Sequence, residues 1–262
     1  VVLKPLVRKL NVKGKKGDSV KLPSPARGTA TAKSANTVVN TIIESGTSIT
    51  VNLTNHFHYA RLIEDVAEVQ AMSSMRKFYT DDAGYALAVQ LDTSLFDAAG
   101  GFNGGTAGAA AWAGGVQAGD GTTAYVDAND NATTISDAGI RRAIQFLDDN
   151  NIPMNDRYLV IPPVARRVLM GLARFTEQAF TGEAAGSNTI RNGKLGNVYG
   201  IPVYVSSNCP TTSGASGRVC LLAHKDAMVL AEVLGPRVQT QYKLENLGTL
   251  LVADQIWGCG EL

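Results

Sequence analysis

The sequence predicts an α+β chain that associates with copies of itself. Three observations carry that reading. The first 56 residues contain no aromatic side chain, although the chain has seven Phe, eight Tyr and two Trp. One unusually long amphipathic helix follows them. Short strands and two shorter helices then share the rest of the chain.

At 262 residues and 45% apolar content the chain can bury a sizeable core. The composition fits neither collagen, coiled coil nor a fully disordered polymer. No apolar run approaches the roughly 20 residues of a membrane-crossing helix, so no membrane partner is expected. No secretory signal pattern opens the chain. Net charge is +1, but it is unevenly placed. Residues 1–33 hold nine basic residues against one acid, Asp18, a net of +8. The other 229 residues hold fifteen basic and twenty-two acidic residues, a net of −7.

The basic front reads as strands and turns. Leu6–Val12 and Ser19–Leu22 alternate loosely, and Thr37–Ile43 and Ser48–Leu53 are rich in Thr, Val and Ile. Gly14, Gly17, Pro23, Pro25, Gly28 and Gly46 mark the turns. A long basic hairpin results. Such a ribbon is marginal alone and its edges invite pairing, so it must lie on its own body or on a neighbour.

Arg61–Gln70 places Leu62, Val66 and Val69 at helical spacing. From Ser74 to Ala99, Met75, Tyr79, Ala83, Leu87, Leu91 and Leu95 recur every four residues, with no proline between Pro25 and Pro153. At about 1.5 Å per residue this helix is nearly 40 Å long. Gly100 and Gly101 stop it. A Gly/Ala-rich loop with a single Trp112 runs on to about Asn131.

Ser136 is a suitable N-cap for a helix with Ile140, Ala143, Ile144 and Leu147 on one face, ended by Asn150 and Asn151. Tyr158–Ile161 is a short buried strand. Pro162 and Pro163 open the next helix, with Val164, Val168 and Leu172 on one side. Ile201–Val205, Val219–Leu222, Met228–Val233, Val238–Leu244 and Leu250–Trp257 read as separate strands.

Chemical motifs are missing. The Gly-rich stretch has no strand-linked dinucleotide fingerprint, and Gly193-Lys194 is followed by Leu195 rather than Ser or Thr, so no phosphate loop forms. His56 and His58 share one side of a strand, with the third histidine, His224, far away. Cys209, Cys220 and Cys259 are too few for a four-cysteine zinc site and read as small buried residues. Glu64, Asp65, Glu68, Asp81 and Asp82 read as a solvated or subunit-facing surface. There is no nucleophile elbow and no zinc-protease helix. The basic front lacks stacking aromatics and a groove-entering helix, which disfavours dedicated nucleic-acid recognition. No catalytic residue, cofactor or metal is expected.

Several segments in order are familiar. Gly17-Asp18-Ser19-Val20-Lys21-Leu22-Pro23 leads the hairpin. His56-Phe57-His58-Tyr59-Ala60-Arg61-Leu62-Ile63-Glu64-Asp65 follows, and Phe78-Tyr79-Thr80-Asp81-Asp82-Ala83-Gly84-Tyr85-Ala86-Leu87-Ala88 lies in the long helix. Gly200-Ile201-Pro202-Val203-Tyr204-Val205 and Val252-Ala253-Asp254-Gln255-Ile256-Trp257-Gly258 come late. Their order resembles the major capsid protein of tailed bacteriophages, with the Hong Kong-97-type capsid fold. The resemblance implies an extended β-hairpin loop, a long spine helix, and peripheral and axial domains. Residues 1–9 would be the remnant of an N-terminal arm, in keeping with the start at Val1. The extended loop would be 10–55, the peripheral domain 56–133, the axial domain 134–235, and 236–262 strands returning to the peripheral domain.

It also implies hexamers and pentamers of an icosahedral shell around double-stranded DNA, assembled in the host cytoplasm. Portal, scaffold and decoration proteins would be further partners, and DNA contact would be non-specific. Lys13, Lys15, Lys16, Lys21, Arg27 and Lys33 would lie over a neighbour's Glu64, Asp65, Glu68, Asp81 and Asp82. Two alternatives share the same elements. One is an encapsulin-like nanocompartment shell. The other is a small-molecule enzyme built around His56, His58 and Glu64.

Overall fold

The computed structural model describes residues 2–12, 17–24, 28–39, 41, 46–70, 75–105, 116–126, 131–172, 195–212 and 217–262. The backbone forms a four-stranded sheet against a long helix, a second sheet against two helices, and a two-stranded ribbon.

The first sheet is assembled from distant parts of the chain. Its strands are β1 (Arg8–Asn11), β9 (Met228–Lys243), β10 (Gly248–Glu261) and β4 (Asn55–Glu64), side by side in that order. β1 runs parallel to β9, and β10 is antiparallel to both of its neighbours. The ribbon pairs β2 (Ser19–Ser24) with β3 (Thr47–Asn52), Ser19 opposite Asn52. A short helix α1 (Asp65–Gln70) follows β4 and precedes α2 (Met75–Ala99).

α2 forms as its periodicity predicts, with Ala83, Leu87, Leu91 and Leu95 all buried. Its 25 residues span about 37 Å. The Gly100 amide donates to the Phe96 carbonyl at 3.2 Å and ends it. One end of α2 packs Ala83 and Leu87 on Ala253, Phe57 and Tyr59 of the sheet. The other end joins Leu91, Leu95 and Phe96 to Leu3, Val7, Met228, Leu230 and Trp257.

The second sheet orders β6 (Asn197–Val198), β7 (Ile201–Val205), β5 (Arg157–Ile161) and β8 (Leu221–His224). All five residues of β5 are buried because both of its faces are covered. Tyr158 and Val160 enter the core shared with α2, whereas Leu159 and Ile161 pack with Ile140 of α3 (Asp137–Asp149) and Leu169 of α4 (Pro163–Met170). Ser136 caps α3 as expected, its hydroxyl accepting from the Gly139 amide at 3.1 Å. Gly139 is required there, since a Cβ would collide with the Gly119 carbonyl of the preceding loop.

Several expectations are corrected. Arg61–Glu64 is strand rather than helix, because every residue of β4 pairs with β10 and the ladder outweighs the Leu62/Val66 spacing. Leu6–Val12 does not join the ribbon. Leu3 and Val7 are buried in the core, and that burial delivers β1 to the body sheet. Thr37–Val39 and Thr41 form no strand, having no pairing partner among the described residues; Asn40, Ile42 and Ile43 lie outside them. The two strands expected at Met228–Val233 and Val238–Leu244 are one, running through Gly235-Pro236. Proline is tolerated there because, among the described residues, no strand lies on the outer side of β9 at that point. Register shifts against β10 between Asp254 and Trp257 absorb the irregularity. In α4 the buried residues are Ala165 and Leu169, while Val164 is 57% exposed. Within the Gly-rich loop the described part contains one 3-10 turn and a Gln117–Ala124 bridge; Trp112 lies outside it.

Candidate assembly surfaces

The ribbon is rooted where Val51, 1% exposed, packs beside Gly260. Gly258 is needed at the same place, since a side chain there would strike the Asn52 carbonyl. The acidic residues gather at the other end of the sheet. Glu64 is opposite Gly248, and the Asp65 amide donates to the Leu247 carbonyl at 3.0 Å. Ten residues of β10 separate Gly248 from Gly258, about 33 Å at strand rise.

Of the basic residues expected to make contacts, Lys21 lies in β2 and Lys33 in the following segment, both exposed. Lys13, Lys15, Lys16 and Arg27 lie outside the described residues. The acids differ among themselves. Glu68 is held by Arg76, whose Nη2 and Nε donate at 2.8 and 3.0 Å. Asp65 accepts from the Tyr242 hydroxyl and Asp82 from the Tyr59 hydroxyl, each at 2.8 Å. These carboxylates push both phenols above their ordinary pKa. Glu64 and Asp81 are exposed. The structure thus brings Glu64, Asp65 and Glu68 to one end with the start of α2. Lys21 and this acidic end lie at different places on the same copy.

Two charged groups that sequence reasoning did not single out shape these surfaces. Asp92 is fully buried within α2 and accepts from the Val2 and Leu3 amides at 2.8 and 3.2 Å. It ties residues 2–11 to the helix. Its position beside Leu91 in the buried stripe was the available signal. Asp254 accepts from Arg237 Nε and Nη2 at 2.7 and 2.9 Å, which holds its carboxyl below the usual range. His56 Nε2 lies 3.4 Å from the same carboxylate. His56 and His58 occupy the exposed alternation of β4, while Phe57 stacks on Trp257 from the other side at 5.1 Å.

No cluster of three metal-ligating side chains occurs among the described residues. The three cysteine thiols are free. Cys209 is buried, and burial pushes each thiol up to about 12.

Solved structures share this architecture. A structure from Mycobacterium phage Che8 aligns over 99% of this chain and 87% of its own, with 20% identity and a TM-score of 0.76. The capsid of Cyanophage P-SCSP1u covers 98% and 83%, with 21% identity and a TM-score of 0.70. The capsid asymmetric unit of Cyanophage Pam1 covers 99% and 87%, with 13% identity and a TM-score of 0.71. The fold is therefore the Hong Kong-97-type capsid fold, α+β with an extended ribbon and a long spine helix. Comparison with curated proteins returned no match. A family model described as phage capsid protein matches residues 64–259, three quarters of the chain. The chain belongs to the phage capsid protein family, and is a structural protein of the virion shell. Neither a nanocompartment nor a small-molecule enzyme is favoured.

Proposed function

We propose that the chain closes an icosahedral shell of hexamers and pentamers around double-stranded DNA and catalyses no reaction. The observation that carries this is the family match over residues 64–259, joined to a two-stranded ribbon with an exposed segment, 28–39, between its strands. In this reading the extended loop is 10–55 apart from Leu10 and Asn11, which pair in the first sheet; the peripheral domain is 56–133 with 236–262 and the start of β9 at Met228; and the axial domain is the rest of 134–235. Assembly takes place in the host cytoplasm with portal, scaffold and decoration proteins. DNA contact is through phosphates and is not sequence-specific.

The basic loop lies over the acidic end of a neighbour. Lys13, Lys15, Lys16, Lys21, Arg27 and Lys33 face Glu64, Asp65, Glu68, Asp81 and Asp82 of that copy. The separation between ribbon root and acidic end within one copy supports a contact between copies. A single exposed ion pair is worth about 1 kcal/mol or less. Cohesion therefore comes from many repeats of the contact and from strand pairing. Negative-stain microscopy of the purified protein tests this reading. Closed, regular shells are expected; a stable 27.6 kDa monomer at assembly concentrations overturns it.

A further inference from the structure

The two limbs of the ribbon meet the body differently. On one, β3 ends at Asn52 and β4 enters the first sheet at Asn55, so that limb is continuous with the body. Val51 on the same limb is buried beside Gly260. The other limb has no such footing. Among the described residues β2 pairs with β3 alone. At its start, its covalent route to the body runs back through 13–16 to Val12. The five steps from Val12 to Gly17 span at most about 18 Å. Where residues 2–12 sit therefore bounds where β2 can go.

That segment is held at several points. The fully buried Asp92 carboxylate accepts from the Val2 and Leu3 amides, and a charged acceptor bonds more strongly than a neutral one. Leu3 and Val7 belong to the core of Leu91, Leu95 and Trp257. Lys4 forms an ion pair with Glu232, and Arg8–Asn11 pairs with Val229–Glu232. Between the end of the segment and the ribbon base the packing is open. A cavity of about 360 Å³ is lined by Leu10 and Val12 from one and by Val20, Leu22 and Leu53 from the other. Side chains that face a void lose contacts on that side. Packing at the base therefore restrains the ribbon weakly, and the short tether becomes the firmer restraint.

We propose that residues 2–12 form a strut that sets the direction of the ribbon, and that Asp92 is the positioning residue that fastens the strut to α2. Docked, the strut gives the ribbon a second anchor. Released, it leaves the ribbon to turn about the limb at Asn52–Asn55. The direction is a property of one copy. Its use, bringing the loop to a neighbour, rests on the shell reading. A side chain buried in the core thus acts on assembly through the segment it holds.

Spin labels at Ser48→Cys in β3 and Tyr85→Cys on α2, both exposed positions, test the strut in free full-length subunits. The readout is the width of the label-to-label distance distribution. Protein without these two substitutions, treated with the label, gives the background from native thiols. Asp92→Asn keeps the size of the side chain and removes its charge. It should widen the distribution at least twofold and speed amide exchange at residues 2–11 at least tenfold. A second variant leaves the core untouched, with six Gly and Ser residues inserted after Gly14 to lengthen the tether. It should widen the distribution as much, while exchange at 2–11 stays as in wild type. An unchanged width in the insertion variant overturns the inference, whether or not Asp92→Asn folds. So does a wild-type distribution already as broad as that of either variant. Faster exchange at 2–11 with unchanged width in Asp92→Asn removes Asp92 from the role, as does unchanged exchange there. Shell yield is read separately. Both variants should form fewer shells than wild type. Widened distributions with undiminished shells count against the part given to the ribbon in the proposed function, and leave the strut standing.

Discussion

β9 passes through two environments while keeping one neighbour, β10, along its length. Its first four residues, Met228–Ala231, are each 0% exposed. Val229–Ala231 lie between β1 and β10, and Met228 and Leu230 join the core that holds Leu95, Phe96 and Trp257. Its last eight, Pro236–Lys243, are all exposed. Pairing with β10 is common to both halves, so it does not explain the difference. Cover does. The first half has a strand beside it and apolar layers against it, and the second half has neither among the described residues. A strand can therefore be internal to the fold at one end and open to a neighbour at the other. The residue types reflect this, Met-Val-Leu-Ala giving way to Arg-Val-Gln-Thr-Gln-Tyr-Lys.

The largest expected effect separates the two halves directly. Leu230→Ala should cost about 2–5 kcal/mol in urea unfolding, because a filled core position becomes a cavity. Val238→Ala in the same strand should stay within about 0.5 kcal/mol. Equal costs would erase the distinction between the halves. Next is the clamp that places β1. Asp92→Ala strands two amides and should cost about 1–3 kcal/mol. Hydrogen exchange at residues 2–11 should accelerate, together with the amides of Val229–Glu232. Acceleration spread evenly through the sheet would show that β1 is not what closes that half.

A smaller effect, about 1 kcal/mol, is expected for Ser136→Ala, which removes the cap of α3. It should leave both halves of β9 unchanged in exchange. At the open half, Asp254 provides a pH test. Its folded pKa is depressed by Arg237. The stability it contributes is therefore complete above the ordinary carboxylate pKa of about 3.9 and is lost as pH falls through the lower folded value. Asp254→Asn should flatten the decline of the thermal midpoint below about pH 4, and a decline identical to wild type would contradict the pairing. The smallest effect on folding is expected from Lys15→Glu, Lys16→Glu and Lys21→Glu together. Subunit stability should be unchanged, while shell yield falls at low salt and recovers partly at high salt. Unaltered yield at low salt would remove these lysines from the contact.

The parts legible in advance are those decided within a few residues. The four-residue repeat Ala83, Leu87, Leu91, Leu95 specified α2, and Ser136 specified the start of α3. The continuous apolar run of β5 announced a strand covered on both faces. Where the reading failed, a distant partner had overruled the local pattern. Arg61–Glu64 took the strand form because β10 lies beside it, nearly 190 positions on. Thr37–Val39 had the composition of a strand and no pairing partner among the described residues. Asp92 and Asp254 were visible as acids, but their roles depend on amides at Val2 and Leu3 and on a guanidinium at Arg237. The acidic group Glu64, Asp65 and Glu68 was foreseen as a surface, whereas the internal pairing of Glu68 with Arg76 was not.

By itself the sequence determined where helices and strands could form, that the front is basic and without aromatics, and that the family's order of elements is present. Periodicity, caps and composition act over a turn or two and need no knowledge of the rest of the chain. Only the tertiary structure decided that residues 2–11 belong to the body and that one strand runs from core to open edge. It also decided that the ribbon is rooted far from the acidic end. Those outcomes follow from which backbone edges meet and which side chains lose water, and both are settled between residues that are remote in sequence.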